Sequence, residues 1–131
     1  MNATFLPLTV DAAARLGAGP LLRQAITTDQ AAAACWTSLL AGCGSSARRE
    51  LGPQLRRLSE ATSKHVGTLW WFAEGAGHRR RVAAAQEDLE EAIADGDGSE
   101  FALAFVGYDN AMASAVVCAH TDSRKAGERP A

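Results

Sequence analysis

With three cysteines, three histidines, four prolines and one tyrosine in 131 residues, this chain has few of the groups from which catalytic and metal sites are usually built. Cys35, Cys43 and Cys118 are odd in number and lack metal-ligand spacing, which argues against a zinc knuckle or a paired disulfide framework. No HExxH or ExxH spacing involves His65, His78 or His120. Glu74 and His78 stand four apart, but Gly75 and Gly77 interrupt any continuous helix between them. There is no glycine-rich phosphate loop and no serine nucleophile elbow. The segment Asp95 to Glu100, DGDGSE, touches the calcium-loop pattern, yet its sixth position is Glu100 rather than glycine and its twelfth is Val106 rather than glutamate. Met1 to Thr9 contain neither a charged leader nor a long apolar core, so a cytosolic chain with reduced thiols is expected.

What is abundant is alanine. The apolar share is 47%, but 28 of those residues are alanine. Few bulky side chains remain to fill space, so the elements must pack closely or share a core with a second copy. Helix-forming composition with scarce tyrosine argues against a sheet protein. The bias towards Ala, Gly and Arg suggests a bacterial coding preference.

The net charge is -2, too small a field to draw the chain globally to nucleic acid or to an anionic membrane. Its distribution is uneven. Eight of thirteen Lys and Arg lie between Arg48 and Arg81, and seven of fifteen acids lie between Glu87 and Glu100. Trp70 and Trp71, followed by Phe72, are the aromatics near the basic cluster, and the net acidic balance means that nucleic acid is not an expected partner.

The organising stretch is Phe101 to Ala119, FALAFVGYDNAMASAVVCA. At 100° per residue, Phe101, Phe105, Tyr108, Met112 and Val116 form one bulky row, and Leu103, Val106 and Val117 form another roughly opposite. Ala104, Gly107, Ala111, Ala115 and Cys118 make a strip of small residues. A helix apolar nearly all round is predicted to be enclosed by others. Asp109, Asn110 and Ser114 argue against a membrane span.

The remaining pattern predicts an all-α bundle of four main helices plus short N-terminal helices, with a central helix over 100–119. Phe5, Leu6 and Leu8 form an apolar arm, and Thr9 is placed to cap a short helix from Val10. A helix over Leu21 to Ala41 turns Ala32, Cys35, Trp36, Leu39 and Cys43 to one side, with a possible interruption at Thr27 and Thr28. Pro53 opens the next helix, expected to run to about Ala73 with Leu55, Leu58, Thr62, Val66, Leu69 and Phe72 inward. His78 opens another, ending near Ala94, with arginines at its start and acids towards its end, against the macrodipole. Local helix stability does not account for that order, which points to neighbouring helices or a partner. One domain over 1–120 and a disordered tail over 121–131 complete the organisation.

Two places attract functional readings. On a continuous helix Trp71 projects with Arg57 and Lys64 on the polar side, which suits a partner surface or a stacked ligand, unless the N-terminal arm or the first helix covers it. With Trp70 and the neighbouring His78, Arg79, Arg80 and Arg81 it forms the expected binding set. The second place is Asp109, which an antiparallel hairpin sets near Glu87, Asp88 and Glu91 as an alternative metal group. The plain alternative gives Asp109 an arginine or a backbone donor.

Residues Glu87 to Asp97, EDLEEAIADGD, resemble one acidic helix of the all-α nucleotide pyrophosphohydrolases of the MazG type. That resemblance implies a hairpin binding magnesium and a nucleoside triphosphate through Glu87, Asp88, Glu91 and Asp109. Leu103 and Gly107 stand where the second helix of that family carries acids.

The leading expectation is an interaction or regulatory protein without a cofactor, a homodimer through the small strip or the Trp71 face. The alternative is a small enzyme or ligand-binding protein with a pocket lined by Trp70, Tyr108, Asp109 and His65, of which Asp109, His65 and Tyr108 are the catalytic candidates.

Overall fold

The computed structural model describes residues 3–42 and 46–128, with side chains up to Lys125, and every regular element among them is helical. The helices are α1 (Pro7–Arg15), α2 (Gly19–Ala41), α3 (Ala47–Val66), α4 (Thr68–Phe72), α5 (Ala76–Asp95) and α6 (Gly98–Glu128). The all-α class and the four long helices agree with the sequence pattern. The short helices are one at the N-terminus and one, α4, between α3 and α5. Cys43 and residues 129–131 lie outside the described residues.

Packing follows two helical hairpins, α2 on α3 and α5 on α6, with α1 bridging α2 and α6. The turn between α5 and α6 is tight. Gly96 adopts φ 67° at the end of α5, where a left-handed residue lets the Asp97 amide reach back to the Ala92 carbonyl. Asp97 then caps α6 by accepting the Glu100 amide at 3.0 Å. The bulky row of α6, Phe101, Phe105, Tyr108, Met112 and Val116, is fully buried. Each such side chain contributes about 1.5–3 kcal/mol by leaving water. Phe5 inserts from the N-terminal arm and meets Trp36, Phe101 and Phe105 edge-on, with ring centroids 5.3–5.9 Å apart.

Several expectations are corrected. α2 is continuous through Thr27 and Thr28, and the Thr27 hydroxyl bonds back to the Arg23 carbonyl. α3 begins at Ala47 and carries Pro53 inside it, rather than starting there. α6 does not stop at residue 120, because the expected tail continues the helix to Glu128. The largest correction is at Gly67. The chain there adopts φ 97° and ψ 126°, ending α3 at Val66 and restarting the helix at Thr68. The new register reverses the inward and outward faces. Leu69 is 87% exposed and Phe72 is exposed, whereas Trp71, expected on the basic side, is 4% exposed and joins the core.

Candidate functional site

The second bulky row of α6 is not enclosed as the periodicity suggested. Leu103 and Val106 are each 66% exposed, and Val117 is 51% exposed. Leu8, at the start of α1, is 49% exposed beside them. Asn110, Gly107 and Cys118 share this outward side, and no exposed Asp, Glu, Lys or Arg interrupts it between Glu100 and Asp122. Apolar grooves flank it. One of about 390 Å³ lies between the N-terminal arm and α6, lined by Leu8, Val106 and Asn110, and one of about 420 Å³ lies between α1 and α6, lined by Leu8, Ala113 and Val117. An uncharged strip of this length on an otherwise charged surface is the molecule's most evident contact face. Gly98–Lys125 also has the length and composition to cross a bilayer, and half of its most apolar window is buried in the bundle.

The arrangement behind this face explains why it stays rigid. Asp109 lies on the buried edge of α6 and accepts the Leu8 amide at 3.0 Å, the Thr9 amide at 2.8 Å and the Thr9 hydroxyl at 2.7 Å. These two amides are among the first N–H groups of α1, which have no acceptor within their own helix. Asp109 therefore caps α1 from a hundred residues away, in place of the local cap expected from Thr9. A second buried carboxylate, Asp29 of α2, accepts the Phe5 and Leu6 amides at 2.7 and 2.9 Å, with Thr4 at 3.4 Å. Two aspartates thus fasten the arm and α1 across α2 and α6. The plain reading of Asp109, with a backbone donor, is the one the geometry supports. Asp29 carries no local sequence signal of this role.

The pocket expected from Trp70, Tyr108, Asp109 and His65 is not assembled. His65 is exposed and lines a groove of about 430 Å³ between α2 and α3, together with Arg57, Lys64 and Glu60. Tyr108 is fully buried, and desolvation raises its phenol well above the ordinary value against a weaker opposing influence from Ser59. Its proton is therefore held, and it cannot serve as a base near neutral pH.

Trp70 instead forms a corner joining α4, α5 and α6. Its indole stacks on His78 with centroids 5.9 Å apart and donates from Nε1 to Asp122 at 2.9 Å. Gly75 makes this possible, since a Cβ there would lie 2.4 Å from the indole. Arg81 lies 2.7 Å from His78 Nδ1, and the Arg79 guanidinium sits 4.9 Å over the Phe72 ring. Burial lowers the His78 pKa, as does Arg81, while Asp122 opposes them. Of the expected binding set, Trp70, Trp71, His78 and Arg79 are thus engaged within the fold, Arg81 contacts His78 from an exposed position, Arg80 is exposed beside it, and Arg57 and Lys64 lie in the α2–α3 groove.

Glu87, Asp88 and Glu91 are exposed on α5, while Asp109 faces α1, so the four acids do not converge. Asp88, Glu91, Asp95 and Glu100 line a groove of about 490 Å³ floored by Ala85, Ala104 and Gly107. Among the described residues no group of three or more His, Cys, Asp or Glu side chains could hold a metal ion. Cys35 is buried, which raises its thiol pKa against the charge of Arg48, and Cys118 is exposed and free.

Compared with protein-family models, with curated proteins and with solved structures, the chain finds no match.

Proposed function

We propose that this chain is a small interaction or regulatory protein of the cytosol that acts as a self-associated helical bundle. The observation that supports this reading is the uncharged outward side of α6, with Leu103, Val106 and Val117 open to water next to Leu8. Because each is half to two-thirds exposed, covering these side chains recovers about 1–2 kcal/mol apiece. A contact that covers them recovers that free energy without rearranging the core, because both edges of the face are fastened by the Asp109 cap and the α5–α6 hairpin. Of the two surfaces expected from the sequence, the Trp71 face lies inside the molecule, and the small strip is covered in its middle, with Ala111 and Ala115 buried.

Light scattering coupled to size-exclusion chromatography tests the reading. The wild type is expected at dimer mass, and Val106→Glu and Val117→Glu at monomer mass with unchanged helicity and a melting temperature that no longer rises with protein concentration. A wild-type chain that stays monomeric throughout the accessible concentration range would remove the proposal.

A further inference from the structure

The same face also encodes how two copies meet, an inference that rests on the self-association reading and goes beyond it. We infer that the second copy docks antiparallel, α6 against α6, about a two-fold axis passing beside Asn110 and Leu8.

The first observation is the symmetry of the outward strip. Leu103, Asn110 and Val117 recur every seven residues, the spacing at which side chains form a seam between two helices. Asn110 is flanked by an apolar residue seven positions away on each side, Leu103 and Val117, while Val106 four positions before it is answered by Ser114 four positions after it. A two-fold contact requires a self-complementary patch. Antiparallel pairing centred on Asn110 sets Leu103 against Val117 of the second copy, and Asn110 against Asn110. A lone polar residue in an apolar seam fixes register, because any slip leaves its amide facing apolar atoms. Leu8 lies at the same level, since its amide bonds to Asp109. It therefore meets its own equivalent near the axis.

The second observation is charge, and it accounts for the order along α5. The α5–α6 groove is lined by Ala85, Asp88 and Asp95 from α5 and by Glu100, Leu103 and Gly107 from α6, and the tight turn at Gly96 sets Asp95 near the level of Glu100 and Asp88 near that of Gly107. Continuing that antiparallel register places Ala85 level with Asn110, so the axis also passes the middle of α5. The two-fold then brings the level of Arg79 to Arg81 in one copy to that of Leu89 to Glu91 in the other. Groove-side residues of α5 include Ala85, Asp88 and Asp95. One turn before Ala85 the same side carries Arg81, which is exposed. Among the described residues neither Arg80 nor Arg81 forms an ion pair with a carboxylate. Antiparallel docking presents Arg81 to Asp88 and Glu91 of the second copy, and Glu100 to His120. Parallel docking opposes arginine with arginine and acid with acid, which is repulsive. The arrangement that the macrodipole disfavours within one helix is the one that matches two helices head to tail.

Cross-linking in a Cys43→Ser, Cys118→Ser background tests the geometry. Leu103→Cys and Val117→Cys stand about 21 Å apart along one helix. With a short bismaleimide, the antiparallel pair gives covalent dimer from Asn110→Cys alone and from a mixture of the Leu103→Cys and Val117→Cys chains. It gives little from either of the latter alone. Arg81→Glu is expected to weaken the dimer about tenfold at low salt, and Arg81→Glu combined with Asp88→Arg to restore it. Dimer mass with efficient cross-linking of Leu103→Cys to itself overturns the antiparallel orientation and leaves self-association standing. Dimer mass with no cross-link at Asn110 overturns the axis. A monomer by light scattering overturns both, including one that sediments with phosphatidylcholine vesicles, since a lipid surface then covers the strip. The substituted α6 positions are solvent-facing, and circular dichroism of each variant verifies that the bundle is intact.

Discussion

Replacing Asp109 with alanine removes the acceptor of three donors at 2.7–3.0 Å, two of which, the Thr9 amide and hydroxyl, are buried. A buried donor left without a partner costs about 1–3 kcal/mol, while the part-buried Leu8 amide can return to water at little cost. Against this stands the desolvation of a carboxylate that the variant no longer bears. The balance is a loss of about 2–4 kcal/mol, a large share of the stability of a domain this size. Asp109→Asn keeps one oxygen for Thr9 but turns an amide nitrogen towards the Leu8 N–H, for a smaller loss of about 1–2 kcal/mol. Urea unfolding followed by circular dichroism gives these values. Hydrogen exchange adds the local signature: the amides of Leu8 and Thr9 lose protection first, ahead of those in the α2–α3 hairpin. An Asp109→Ala chain within about 0.5 kcal/mol of wild type, with both amides still protected, would refute the assignment of this residue as the cap of α1.

Three further substitutions probe the corner between α3 and α5. Trp71→Ala is expected to destabilise by about 3–5 kcal/mol in chemical unfolding without selectively dissociating the dimer, whereas an exposed tryptophan would show the opposite. Gly67→Ala forces an alanine to φ 97°, at a cost of about 1–2 kcal/mol; thermal unfolding at wild-type temperature would show that the helix runs through this position. His78 is held below its ordinary 6.5 by burial and Arg81, so its neutral form is favoured in the fold and the unfolded chain binds more protons. Its contribution is therefore present above pH 6.5 and lost as pH falls through its lower folded midpoint. An NMR titration of the His78 ring reads that midpoint directly, and a value at or above 6.5 contradicts the geometry. His78→Gln should flatten the slope of stability between these two values.

Much of this architecture is legible in the sequence, and the misses have identifiable causes. The four long helices and the turn at Gly96 follow from apolar periodicity and punctuation by glycine. Gly67 defeats the same method. A single glycine inside an apolar pattern is compatible with a continuous helix, and only the backbone angles show that the register restarts. Trp71, Leu69 and Phe72 exchange sides as a result. Along α6 the pattern identifies two bulky rows correctly, but periodicity reports only that side chains are apolar, not that the chain has enough other helices to cover them. Alanine-rich composition already signals the shortfall that leaves Leu103, Val106 and Val117 outside. The role of Asp109 cannot be read locally, because its partners lie a hundred positions earlier. The acidic run of α5, which resembles a nucleotide-binding hairpin in one dimension, has no fourth carboxylate facing it from Asp109 in three.

The clamp on the N-terminal arm also imposes an order on biosynthesis. Thr9 leaves the ribosome 100 residues before Asp109, the group in α6 that completes its hydrogen bonding. Until Asp109 has emerged, the opening turn of α1 must rely on water, and Phe5 has no Phe101 or Phe105 to close upon. The arm around Phe5 and the first turn of α1 are therefore secured only after α6 has been made. Any bulky extension fused before Thr4 will compete for that late docking step more than for the helices synthesised in between.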